Sequence, residues 1–95
     1  MIRQRWFGAT GHRVPELAVE GDPDVPVDLA LVLDDALDEK RLHVEYERGT
    51  PIVVRARTAE EVRRALARPE VASVLVPESE RELLELDLTE LTYGR

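Results

Sequence analysis

The chain has no cysteine and no asparagine, and one residue each of glutamine, lysine, methionine, tryptophan and phenylalanine. Without cysteine it can form neither a disulfide framework nor a thiolate metal site, and it has no thiol nucleophile. Two histidines, His12 and His43, are too few for a zinc or non-haem iron site. No run comes near the roughly 18 apolar residues of a membrane helix. Met1, Ile2, Arg3, Gln4 and Arg5 lead into no apolar segment of the kind an export signal carries, so the expected location is cytoplasmic. Acidic residues outnumber basic ones, 20 to 13, and the net charge of −7 opposes non-specific attraction to nucleic acid or anionic lipid. Neither nucleic acid nor a membrane is therefore expected as a partner.

What is present is enough for one small core. The 95 residues are 43% apolar and 35% charged, which suits a single domain. Twelve of the thirteen cations are arginine, and thermolabile residues are scarce, a thermophile-like composition that a GC-rich genome would also produce. Charge is unevenly placed: residues 1–13 carry Arg3, Arg5 and Arg13 with no acid, while all twenty acids lie in residues 14–95. The basic arm reads either as an anion contact, with Gly8, Gly11 and His12, or as a strand pair docking on an acidic body.

The pattern predicts a small α/β domain over residues 1–95, with a hairpin arm over 1–19 and a core over 27–87. Residues 2–7 and 13–19 read as two strands joined by Gly8-Ala9-Thr10-Gly11. Residues 20–26 hold Gly21, Pro23 and Pro26 and form a loop. The run 27–33 (VDLALVL) is apolar apart from Asp28 and predicts the central strand, covered on both faces. A short helical turn capped by Asp34 or Asp35 is expected over 34–41. Alternation over 42–47 predicts a half-buried strand with Leu42, Val44 and Tyr46 inside and His43, Glu45 and Glu47 outside. Residues 51–56 begin the next strand. Thr58 and Glu61 form a capping box, opening a helix over about 59–68 with Val62, Ala65 and Leu66 buried, which Pro69 stops. Residues 72–76 give another buried strand. Ser79 and Glu82 form a second box ahead of a helix with Leu83, Leu84 and Leu86 inward, and Leu88, Leu91 and Tyr93 pack as a tail. The order strand, helix, strand, helix predicts a crossover and a parallel pair. The fold class is thus α/β: a small mixed, partly parallel sheet with an N-terminal β-hairpin and two or three helices.

Residues 5–17 (RWFGATGHRVPEL), Val27-Asp28-Leu29 and 48–54 (RGTPIVV) resemble the opening hairpin, the "(V/I)DL" middle strand and the "RGIPV" strand of the aldo-keto reductase family. Residues 66–77 (LARPEVASVLVP) are similar to its last barrel strand, with 79–87 where its following helix lies. The resemblance implies a nicotinamide-dependent carbonyl reductase on a TIM barrel with an Asp, Tyr, Lys and His catalytic set. A full barrel takes about 250 residues, so the likeness is to a shortened relative. The catalytic set does not carry over: no "DTAxxYG"-like motif is present, Leu33-Asp34-Asp35 stands where the family's histidine follows its strand, and Lys40 lies in a polar connection. The loop Pro77-Glu78-Ser79-Glu80 sets two carboxylates where the family holds a phosphate.

Three further constellations can be weighed. Asp34, Asp35, Lys40, His43 and Tyr46 include every side-chain type of the reductase set, but a strand over 42–47 points His43 and Tyr46 to opposite faces. No catalytic residue is therefore assigned, and the expectation leans away from an enzyme. Asp34, Asp35 and Asp38 could face a divalent cation, yet they lack the glycine and alternating ligands of a calcium loop, so no metal and no cofactor is expected. Gly8-Ala9-Thr10-Gly11 has neither a Walker ending nor a third glycine and reads as a turn.

Two functions follow as expectations. The first is a non-catalytic protein acting by self-association, as a homodimer, or by binding another protein, with Arg5, Trp6 and Phe7 at the interface. The second is a small-molecule or nucleotide site of residual oxidoreductase type at the carboxyl ends of the strands, near Asp34, Arg57 and Glu78, where Arg55 and Arg57 end a strand.

Overall fold

The computed structural model describes residues 4–85. Strand β1 (Gln4–Trp6) pairs antiparallel with β2 (Arg13–Pro15), Trp6 opposite Arg13 and Arg5 opposite Val14. The expected second strand over 13–19 divides at Glu16: β3 (Leu17–Val19) leaves the hairpin and enters a separate parallel sheet. The break is held from both sides, because Val74 N–H donates to the Glu16 carbonyl at 2.9 Å and Ser73 Oγ donates to the Pro15 carbonyl at 2.7 Å.

The run 27–33 is not the central strand. Val27–Leu29 is a 3-10 turn, with Leu29 N–H donating to Pro26 and Ala30 N–H to Val27, and only β4 (Leu31–Leu33) is extended. Pro26 fixes the backbone entering the turn. β4 lies at the sheet edge and is half-buried, so continuous apolar sequence marked a strand here without marking its place.

The expected strand over 42–47 is helix. α1 (Glu39–Glu47) starts on Asp38, whose Oδ1 accepts from Arg41 N–H at 3.0 Å; neither Asp34 nor Asp35 is the cap. Good helix formers fill the segment. Of the three residues expected inside, only Leu42 is buried, while Val44 and Tyr46 are exposed. Glu45, three residues beyond Leu42, is half-buried, so burial follows the helical period rather than the strand one.

β5 (Ile52–Arg55) and α2 (Ala59–Leu66) follow the expected order. Thr58 Oγ1 accepts from Glu61 N–H at 3.1 Å, but Glu61 Oε1 accepts from Arg57 N–H at 2.8 Å rather than closing the box on Thr58. Val62, Ala65 and Leu66 are buried as expected. β6 (Ser73–Val76) is wholly buried. The closing segment Glu78–Glu85 is 3-10 rather than a capped α-helix: Glu80 leaves the helical region at φ −119° and ψ 29°, and its N–H donates to the Pro77 carbonyl. Leu83 is buried and Leu84 half-buried, while Leu86, Leu88, Leu91 and Tyr93 lie outside the described residues.

The four strands are all parallel in the order β3, β6, β5, β4. Alternation sorts their side chains into two cores. On one face Leu17, Ile52, Val54, Val74 and Val76 meet Leu42 of α1, Val62, Ala65 and Leu66 of α2, and Leu83. On the other, Ala18, Val53 and Leu75 meet Phe7 and Val14 of the hairpin and Val25 of the following loop. Helices therefore cover one face and the hairpin covers the other.

The hairpin is seated by its turn. Gly8 has φ +57°, and Ala9 N–H donates to the Gly49 carbonyl at 2.9 Å. A Cβ on Gly8 would stand 2.5 Å from that carbonyl oxygen, whereas one on Gly11, at φ +84°, would meet nothing. Both alanines strain the backbone, and only one also pushes the two turns apart. Urea denaturation should show Gly8→Ala losing about 3 kcal/mol and Gly11→Ala about 1 kcal/mol; equal losses would mean the turn contact is not held.

Candidate functional site

Three places on this fold bear on function: the carboxyl ends of the parallel strands, the hairpin arm, and the free edge of β4.

At the carboxyl ends, Asp34 directly follows β4 and Arg57 lies two residues past β5, and both line a recess of about 350 Å³ with Glu20, Arg55 and Pro77. Arg55 sits between two acids: its Nε is 3.2 Å from Glu20 Oε1 and its Nη1 is 4.0 Å from Asp34 Oδ1. Glu20 was not singled out by sequence, since nothing local places a loop residue beside a strand 35 positions away. Glu78 does not join the recess. Its carboxylate accepts from Arg81 Nη1 at 2.7 Å, beside a neighbouring groove. Among the described residues the Arg57 guanidinium has no ion pair. The recess thus offers one uncommitted cation beside a neutralised arginine.

The acidic cluster is dispersed into local turns. Asp35 Oδ1 accepts from Leu37 N–H at 3.0 Å and Asp38 caps α1, while Asp34 faces Arg55. Among the described residues no group of three or more His, Asp or Glu side chains could hold a metal ion. The reductase-type residues are not all brought together. Asp34 lies at the carboxyl end of the sheet, and Tyr46, in the last turn of α1 before β5, lies at the amino end. His43 is exposed and 3.3 Å from Glu47, its i+4 neighbour. The helix sets His43 and Tyr46, three residues apart, as neighbours on its exposed surface rather than on the opposite faces a strand would give, and it is Asp34 that lies apart from them at the far end of the sheet.

In the arm, the three expected interface residues have different fates. Phe7 is fully buried in the hairpin-side core. Arg5 is turned inward: its Nε donates to Glu16 Oε1 at 3.2 Å, its Nη1 to the carbonyls of Arg68 and Val71, and its Nη2 to the Leu66 carbonyl at 2.7 Å. It answers the unsatisfied carbonyl end of α2, a task for which a fixed fork of donors is suited. Only Trp6 stays outside, at 59% exposure, with the Arg13 guanidinium 4.6 Å from its ring centre.

The third place is a sheet edge, which sequence reasoning expected to pair with a second copy without saying which strand forms it. β4 carries Leu31, Val32 and Leu33 and pairs on one side only. Leu29 before it and Leu37 after it are each 62% exposed. Edge strands are kept from further pairing by being very short or by bearing a lysine, proline or bulge; β4 is short, at three residues, and has none of the others.

No helix among the described residues is long and apolar enough to cross a membrane. Compared with known proteins, the chain matches no family model, no curated sequence and no solved structure.

The roles of Arg5 and Trp6 can be separated by measurement. Arg5→Leu leaves the Leu66 and Val71 carbonyls without their donor, the Arg68 carbonyl keeping Val71 N–H, and removes a partner of the nearly buried Glu16, so chemical denaturation should show a loss of about 3 kcal/mol. Trp6→Ala should change stability by less than about 1 kcal/mol.

Proposed function

We propose that this chain is a non-catalytic assembly module that pairs with a second copy of itself along the free edge of β4. The reading rests on that free edge, which carries no lysine, proline or bulge. Leu31 N–H donates inward to the Pro51 carbonyl at 2.9 Å, so in a parallel ladder the N–H and C=O of Val32 face away from β5. Left single, they point at water; paired, they add a strand to the sheet.

A second copy suits this edge because the strand reads the same in both directions about Val32. A two-fold axis through Val32 sets Leu31 of one copy against Leu33 of the other, and lets the two Val32 residues exchange both hydrogen bonds. The flanking Leu29 and Leu37 supply apolar surface on either side. Asp34 lies beside Arg55, which offsets its charge near the joint. Joining two four-stranded sheets this way makes one continuous sheet with a β3 strand at each outer edge.

Light scattering on the purified chain should give twice 10.8 kDa. Val32→Lys should give the monomer mass with an unchanged circular dichroism spectrum, and Trp6→Ala should remain a dimer. A native chain that is monomeric at every concentration would sink this reading.

A second reading has its own observation, the unpaired Arg57 beside the 350 Å³ recess. It is a small-molecule or nucleotide site at the strand ends, in a shortened relative of the aldo-keto reductases. A ligand that binds only the native state raises its melting temperature, by the equivalent of about 2.7 kcal/mol at a hundred times its Kd. Thermal shift against nicotinamide cofactors, other nucleotides and divalent metals should then show a rise that Arg57→Ala abolishes. No rise with any of them removes the reading.

A further inference from the structure

At the amino ends of the strands, opposite the Arg55 recess, the hairpin, the last turn of α1 and the loop before β6 enclose a cleft of about 550 Å³. That is within the range of small-ligand pockets, about 300–1,000 Å³. Its walls combine three features that the fold does not otherwise require.

The first is aromatic. The chain has one tryptophan, one phenylalanine and two tyrosines. Phe7 is used in the core, whereas Trp6 and Tyr46, from β1 and α1, both line this cleft with 59% and 52% of their surface open. Their burial adds little to folding, yet they are brought to one place by two unrelated elements.

The second is the carboxyl end of α1. α1 and α2 both end here, and the carboxyl end of a helix carries partial negative charge. At α2 the protein itself supplies a cation to that end, since the Arg5 guanidinium binds the carbonyls of Leu66, Arg68 and Val71. Those bonds and the one to Glu16 engage all three guanidinium nitrogens of Arg5, so it does not present the cleft to an anion.

The third is Glu70. It lines the cleft, is only 12% exposed at its side chain, and meets Arg68 Nε at 3.6 Å. Neither Arg68 Nε nor Glu70 Oε1 has a hydrogen-bond partner among the described residues. A carboxylate this withdrawn from water, held only by a loose pair, gains from a further positive neighbour. The indole of Trp6 already attracts such a group, because Arg13 stacks on it at 4.6 Å.

We propose that this cleft binds an organic cation, a quaternary ammonium or a guanidinium group, between the rings of Trp6 and Tyr46, with Glu70 as its counter-charge. Aromatic faces attract cations through the ring quadrupole, most strongly where water is partly excluded. The inference does not depend on pairing through β4, which lies elsewhere on the molecule.

Trp6 is the sole tryptophan, so its emission reports on the wall of the site directly. The full chain is titrated at constant ionic strength with choline, with arginine amide, and with 3,3-dimethylbutan-1-ol, the uncharged isostere of choline. A saturable change with at least one cation is expected, with a Kd on the order of 1 mM, and a response to the alcohol about tenfold weaker. Choline binding without arginine amide binding assigns the site to methylated ammonium groups, and the reverse assigns it to guanidinium. Glu70→Gln should weaken binding about fivefold or more and Tyr46→Ala likewise, while Tyr46→Phe should bind as the native chain does. No saturable change, an equal response to the alcohol, or unaltered affinity in Glu70→Gln would overturn the proposal. Should Glu70→Gln fail the circular dichroism check for folding, Tyr46→Ala decides, since Tyr46 is outside the core.

Discussion

The guanidinium of Arg5 ties the hairpin to the carbonyl end of α2, and much of the architecture depends on that junction. A parallel sheet has two faces to cover, and α1 and α2 lie together on one of them. The other face is covered by the hairpin through Phe7 and Val14 and by the loop at Val25. A two-stranded hairpin is marginal by itself. Here it is fixed at three points: Phe7 is sunk in the core, the Gly8 turn sits against Gly49, and Arg5 is bonded to three carbonyls, one on the last residue of α2 and two just beyond it. The basic character of the amino-terminal arm thereby has a structural reason, since one of its arginines serves the negative end of a helix inside the molecule.

What could be read from the sequence follows the range of the forces involved. The Thr58 cap, the buried Val62, Ala65 and Leu66, and the strands over 52–55 and 73–76 rest on local bonds and short periods, and those are written in neighbouring residues. The segment 42–47 was misread because Leu42, Val44 and Tyr46 alternate with charged residues, and only tertiary packing shows that Val44 and Tyr46 face water. The cap belonged to Asp38, one of three aspartates in five residues that suit the part alike. The run 27–33 was overextended because an apolar stretch after a proline can turn before it extends. Of the site residues, Asp34 and Arg57 do share a recess, as their positions at strand ends implied. Glu20, Glu70 and the meeting of Trp6 and Tyr46 in the walls of one cleft were hidden because each depends on contacts between distant parts of the chain.

The two ends of the sheet differ in chemistry. The carboxyl end is a field of short charged side chains in which Arg55 is balanced by Glu20 and Asp34, leaving Arg57 to solvent. The amino end collects the helix carboxyl termini, two open aromatic rings and a withdrawn carboxylate. Between them, β4 forms a neutral border with apolar residues before and after it. Binding and association, if both occur, would therefore use different surfaces, and neither would need to disturb the buried strands β5 and β6.

The strand order also governs how the chain can be built. β6, the last strand among the described residues, lies between β3 and β5, so Leu17 has no lateral neighbour until Val74 has been synthesised. A chain emerging from the ribosome can assemble β4, α1, β5 and α2 in sequence, each beside the one before. β3 must wait, its backbone unpaired, while the 53 residues between Val19 and Ser73 are made. Long-range parallel pairing of this kind is slow and leaves strand edges open to wrong partners in the interval. A ribosome that stalls or a protease that cuts before residue 73 would leave a fragment with β5 as an open edge, alongside β4, and with no partner for β3.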